Sequence, residues 1–203
     1  MVCGDETQKP FPLLVWHLTQ RKLLYDLRIP HHDFITTLSA ITHEGSYVCV
    51  VAKELAEPTP NFIVVYDLQS GTLFKKWKPS CNTVSLAISQ ANTCVIAGLD
   101  DARIMIWDLV TGNCRCTLTG HNAPVTLLKL DPLGKILLSG DKEGRDKSIR
   151  LWDLNTGNYH YHFMLNLNGS LFSFKESHWL FIHLQRKSLL VNWFLMANTL
   201  YLV

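Results

Sequence analysis

Short apolar runs recur along most of the chain, each closed by turn-forming residues. In the stretch 125–154, residues 125–130 read as one strand and Asp131-Pro132-Leu133-Gly134 as the turn after it. Residues 135–139 form a second, largely apolar strand, the composition expected when both faces are covered. A polar loop at 140–147 leads to a third strand at 148–154, and 159–163 follow as a fourth. The stretch before it runs the same way through 84–88, 93–97, 104–109 and 114–118. No helical periodicity is sustained within 29–157, so the pattern predicts an all-β chain of short antiparallel sheets.

The third strand of each unit carries a second regularity. Trp16, Tyr66, Trp107 and Trp152 each sit in an apolar strand, at intervals of 50, 41 and 45 residues. Asp67, Asp108 and Asp153 follow the last three of them, each leading into a turn that ends in glycine: Gly71, Gly112, Gly157. A repeat of forty-odd residues with variable loops suits four strands per unit.

One unit holds a fuller motif: Thr119-Gly120-His121, then Asp131-Pro132-x-Gly134, Ser139-Gly140, and Asp146-Lys147-Ser148-Ile149-Arg150-Leu151-Trp152-Asp153. This resembles a complete WD40 repeat, and the resemblance implies a β-propeller of four-stranded antiparallel blades. Residues 93–109 carry part of the motif, with Pro79-Ser80 in place of Gly-His. The unit around Tyr66 is more degenerate: His32 is placed to serve as its histidine, but Pro60 stands where the turn aspartate belongs. The expected organisation is the end of a truncated blade at 1–28, a degenerate repeat at 29–77, repeats at 78–118 and 119–163, and a divergent apolar tail at 164–203. Such a partial propeller, about three to four blades, is expected to require further blades to close.

His121, Ser139 and Asp146 have the residue types of a hydrolytic triad, which needs an exposed nucleophile beside an oriented base. The resemblance implies another role, a buried hydrogen-bonded tetrad of His121, Ser139, Asp146 and Trp152 that fixes the blade. Asp101 stands six residues before Trp107 as Asp146 stands before Trp152, so it reads as a turn aspartate and not as an acid or a metal ligand. Trp107, Asp108 and Asp153 complete the strand-and-turn signature. The run 140–148 has the glycines and lysine of a phosphate loop, but in the wrong order and before a strand. Its length instead makes it a candidate partner-contact loop through Lys142, Glu143 and Arg145. The extended segment 53–60 joins it through Lys53, Glu54 and Glu57.

Composition narrows the partners. A net charge of +2 is too small for nucleic-acid binding, and 18% charged residues with 47% apolar indicate a globular chain. The six cysteines form no C-x-x-C pair and no zinc spacing, and read as buried or half-buried free thiols in a reducing compartment. The polar opening MVCGDETQKP is unlike a signal peptide, so a cytoplasmic location is expected. Asn168-Gly169-Ser170 is a glycosylation sequon in form only, idle without entry to the secretory pathway. The apolar run 188–203 is shorter than the roughly 20 residues of a bilayer helix and reads as a divergent terminus in place of the next blade. The function expected is a non-enzymatic scaffold that binds other proteins, with no cofactor, metal or small-molecule substrate. Divergent repeats with long inserts, as at 57–71, are also similar to the C-terminal propellers of NACHT and WD repeat-containing proteins. That resemblance implies a regulatory propeller of a larger nucleotide hydrolase whose nucleotide module lies outside this chain.

Overall fold

A computed structural model describes residues 1–182, except 5, 6, 8, 56–59, 90, 92, 132, 142–144, 147, 157, 158, 166–170, 176 and 177; from residue 159 it describes the backbone alone. Every regular element described is a strand. The first sheet contains β1 (Val2–Gly4), β2 (Leu13–His17) and β3 (Lys22–Leu27) in that order. The second contains β4 (His32–Ile41), β5 (Tyr47–Glu54), β6 (Phe62–Asp67) and β7 (Thr72–Trp77). The third contains β8 (Thr83–Ser89), β9 (Cys94–Leu99), β10 (Ile104–Asp108) and β11 (Cys114–Leu118). The fourth contains β12 (Leu127–Leu130), β13 (Ile136–Gly140), β14 (Ser148–Asp153), β15 (Tyr159–Leu165), β16 (Leu171–Lys175) and β17 (His178–Ile182). All sheets are antiparallel meanders. The first strands β4, β8 and β12 touch in succession, while the last strands of the first three sheets, β3, β7 and β11, are the most exposed. The blades therefore stand side by side, inner strand to inner strand, with their last strands at the rim.

Burial follows from this stacking. Each core is shared by two neighbouring blades: Leu13, Val15, Phe34, Val48 and Val64 in the first, Ile63, Val65, Val95, Ala97 and Trp107 in the second, and Ile96, Ile106, Val125, Leu137 and Trp152 in the third. A middle strand between two such cores has no polar face. Val48–Ala52 of β5 and most of β9 are accordingly fully buried. Among the described residues no helix is long and apolar enough to cross a membrane.

The repeated aromatic has a structural signature that the sequence spacing does not show. A β-bulge falls between Val15 and Trp16, between Val65 and Tyr66, between Ile106 and Trp107, and between Leu151 and Trp152. In all four sheets the pairing of the aromatic's strand with the strand that follows it slips at the same place. A bulge bends the strand and adds twist there, so the motif marks a shared change of direction. The aspartate after the aromatic then holds the turn. Asp67 Oδ1 accepts from Gln69 N at 2.8 Å, Asp108 Oδ1 from Val110 N at 3.0 Å and Thr111 N at 2.8 Å, and Asp153 Oδ1 from Asn155 N at 2.8 Å. Gly71 and Gly112 close their turns at φ 71° and 81°. In the first blade His17 Nδ1 takes the aspartate's place, accepting from Gln20 N at 3.3 Å, and Arg21 occupies the left-handed position at φ 50°.

Some boundaries differ from the expected ones. The strand expected at 125–130 begins at Leu127, because Val125 is committed to the neighbouring blade: its N–H donates to Leu99 O at 3.2 Å and its carbonyl accepts from Ser85 Oγ at 2.5 Å. Lys53 and Glu54 lie in β5, paired with Asp33 and His32, instead of opening a loop. The backbone continues its sheet beyond Phe163 through β16 and β17, where no strands were expected. The six cysteines are free, and Cys114 is exposed, not covered. The sequon and the apolar run 188–203 lie outside the described residues.

Candidate functional site

In a four-stranded meander the loop between the second and third strands and the connection to the next blade emerge at the same end. His121 lies in the connection from β11 to β12, and Asp146 in the loop from β13 to β14. Ser139 is on β13 and Trp152 on β14, facing the gap between them. The fold thus brings all four residues together.

The hydrogen bonds run in one direction. Trp152 Nε1 donates to Ser139 Oγ at 2.7 Å, and Ser139 Oγ lies 2.7 Å from His121 Nε2. His121 Nδ1 is in close contact with Asp146 Oδ2. The indole can only donate and the carboxylate accepts, so Ser139 donates to Nε2 and the proton on the neutral ring sits at Nδ1. Asp146 is further held by Ser148 Oγ and by Asn122 N, the latter at 3.0 Å. Burial pushes the His121 pKa down, against the opposing pull of Asp146. Burial also pushes Asp146 upward, but the bonds from His121, Ser148 and the Asn122 N–H outweigh it and leave the carboxyl low. Neutral histidine beside an ionised aspartate satisfies every link.

Atom for atom, Ser139–His121–Asp146 has the connectivity of a hydrolytic triad. Accessibility separates the two roles. Ser139 is 0% exposed, its oxygen is already engaged by the Trp152 indole, and the His121 and Asp146 side chains are each 1% exposed. A substrate carbonyl has no approach to that hydroxyl. What the network does hold is Asp146, near the end of the segment 141–147. Asp141, at its start, accepts from Thr126 Oγ1 at 3.1 Å, Arg145 N at 2.9 Å and Arg145 Nε at 3.2 Å, with its own side chain 1% exposed. The described residues Asp141 and Asp146 are thus both held by buried partners, with Arg145 half exposed between them. Sequence reasoning assigned no role to Asp141, or to Ser148 although it stands within the quoted motif.

The neighbouring blades lack this arrangement. Ala97 pairs with Met105 as Ser139 pairs with Arg150, each one residue before a glycine (Gly98, Gly140), so no hydroxyl is available there. Asp101 instead meets Arg103 Nε at 2.6 Å, Arg103 N at 3.2 Å and Cys81 Sγ at 3.1 Å, in a turn open to solvent. His32 Nδ1 bonds Pro30 O at 2.8 Å and its ring packs edge-on against Phe62, so it does not build a tetrad in the second blade. Of the candidate contact residues, Lys53 is exposed and Glu54 half-buried at the end of β5, and Arg145 is exposed. Glu57, Lys142 and Glu143 lie outside the described residues. No group of three or more metal-ligating side chains is found among the described residues.

Comparison with known proteins agrees with this geometry. Residues 112–153 match the model of the family described as WD domain, G-beta repeat, a span that contains all four network residues. The chain is 31% identical over 134 residues to a periodic tryptophan protein 2 homolog of Dictyostelium discoideum, covering 64% of this chain and 13% of that protein. It is 26% identical over 127 residues to a p21-activated protein kinase-interacting protein 1-like of Gallus gallus, covering 63% and 32%. It is 32% identical over 97 residues to autophagy-related protein 16 of Arabidopsis thaliana, covering 47% and 18%. The chain thus spans no more than a third of the length of these relatives. Four antiparallel sheets with the same register shift, a turn aspartate shared by three of them and one matched repeat at 112–153 give this chain the fold of a partial WD40-type β-propeller.

Proposed function

We propose that the chain is a non-enzymatic scaffold that presents its loop end to other proteins. One observation carries the reading: the residues with catalytic chemistry are consumed in a buried network, closed to substrate, at the loop end of the blade. The loops between second and third strands at 55–61 and 141–147 are each longer than their neighbour at 100–103. Rigid supports with longer, charged loops suit partner binding, because less motion is lost on association. Lys53, Glu54, Glu57, Lys142, Glu143 and Arg145 are the proposed contacts. The relatives include a protein named for interaction with a kinase and one named for autophagy, which supports the class of function without identifying the partner. A regulatory propeller within a NACHT-type hydrolase would use the same surface in a larger protein. That narrower reading rests on the inserts at 57–71 alone.

The discriminating experiment treats the folded chain with a fluorophosphonate probe for activated serines. The scaffold reading predicts no labelling of Ser139. Labelling that disappears in Ser139→Ala would overturn it and restore the triad.

A further inference from the structure

The last strands of the first three sheets, β3, β7 and β11, are sheet edges, and these edges differ in charge. On β7, Phe74, Lys75, Lys76 and Trp77 are followed by Lys78, and the chain has no Asp or Glu between Asp67 and Asp100. Lys76 and Lys78 are exposed, with ammonium groups 4.1 and 5.1 Å from the centre of the Phe62 ring. Lys75 stands 5.3 Å from that of Phe74. Among the described residues none of these three lysines pairs with a carboxylate. The other rim strands are balanced: β3 carries both Lys22 and Asp26, and Arg115 of β11 is bonded to Asp108 at 2.9 Å. The remaining rim strand shows what such an edge can accept. β15 is not the end of its sheet, because β16 pairs with it antiparallel from His162 opposite Phe174 to Leu165 opposite Leu171.

We propose that the open edge of β7 takes up an extended acidic segment of another protein as a fifth antiparallel strand, with its carboxylates facing Lys76 and Lys78. Unpaired N–H and C=O groups on the edge supply the main-chain bonds, and side-chain charge selects the partner. Edge lysines guard against pairing with neutral or basic strands, since each approach would crowd or desolvate an ammonium. An acidic strand removes that penalty and gains cross-strand charge pairs. The Phe62 and Phe74 rings hold the ammonium groups near the edge by cation–π attraction, which limits what ordering them costs on binding. Lys76 and Lys78 stand at the end of β7 beside Phe62, the start of β6, so the dependence on peptide main-chain amides and the indifference to Arg145→Glu are what separate this edge from the loop contacts.

The test is fluorescence anisotropy of the full chain with a labelled peptide of about eight residues, glutamate alternating with valine or threonine. The proposal expects saturable binding, weakened at least about tenfold by Lys76→Glu with Lys78→Glu, and also weakened by the milder alanine pair. Arg145→Glu should leave it unchanged, and N-methylation of alternate peptide amides should abolish it. Unfolding curves of the variants matching the wild type show that the fold is intact. Absence of binding would overturn the proposal. Equal binding of the N-methylated peptide would too, since the contact would then be charge alone. So would phosphatidylserine vesicles or single-stranded RNA showing the lysine dependence while the peptide shows none.

Discussion

At the scale of single residues, the network at 121–152 shows how one arrangement of atoms serves chemistry or structure according to what covers it. Removing His121 leaves the Ser139 hydroxyl without its acceptor and the Asp146 carboxylate without its principal donor, both out of water. We expect His121→Ala to lower unfolding free energy by about 1–3 kcal/mol in denaturant titration. The effect should depend on pH in a defined direction. The His121 pKa lies below its unfolded value near 6.5, so the unfolded chain binds more protons between the two values. Stability from this group is complete above about pH 6.5 and declines as pH falls toward the folded pKa. Asp146 has the second sign pattern: a depressed carboxyl contributes above about pH 4 and is lost below it. The stability gap between wild type and His121→Ala should therefore narrow as pH falls from 7 to 5. A constant gap would mean that the ring is not held neutral. A second residue-scale expectation concerns Arg21, which occupies at φ 50° the left-handed position that Gly71 and Gly112 fill in the other turns. Arg21→Gly should be neutral or raise stability by up to about 1 kcal/mol, despite adding backbone freedom to the unfolded chain. A marked loss would show that the Arg21 side chain has a role that the turn geometry does not suggest.

At the scale of elements, blade joins rest on a few close approaches. Gly98 of β9 lies under the Val125 segment of the next blade. A β-carbon there would come within 2.3 Å of Val125 O and of Ser85 Oγ, the two groups that bond each other. Gly98→Ala should cost about 1–3 kcal/mol through displaced backbone, read as a lower thermal midpoint. An unchanged midpoint would mean that the two blades separate without strain. Asn61 makes the preceding join, its amide donating to Thr83 O at 3.2 Å and accepting from Thr83 N at 2.8 Å. Rim aromatics add a third kind of join: Tyr25 Oη donates to Leu68 O at 2.9 Å, and Trp77 Nε1 to Gly112 O at 2.7 Å. The strands were legible because apolar runs bounded by turns have few other ways to satisfy their backbone. The grouping of His121, Ser139, Asp146 and Trp152 was legible through the fuller motif at 119–153. The joins were not, because Gly98, Asn61 and Val125 act through partners on other blades that no local pattern names. Lys53 and Glu54 were read as loop since charged residues there hide a strand whose pairing continues to His32. The degenerate turn at Arg21 was equally hidden, its conformation set by the hairpin and not by its own preference.

At the scale of the whole molecule, shared cores make each blade depend on its neighbours, and the chemistry-bearing residues end up supporting a surface. The loops at 55–61 and 141–147 stand at one end of the sheets, the turn aspartates Asp67, Asp108 and Asp153 hold the other, and the open edge of β7 lies on the rim. Under the proposed scaffold role, function resides in which groups the strands and loops expose. Charged contacts at an interface set encounter and specificity, so reversing them should disturb partners without disturbing the fold. The most direct test is quantitative affinity capture by the full chain, comparing wild type with Lys142→Glu/Arg145→Glu after equal thermal unfolding has been shown. The account predicts that a defined set of proteins is captured by the wild type and reduced several-fold by the reversal. The same proteins recovered in the same amounts from both would contradict it.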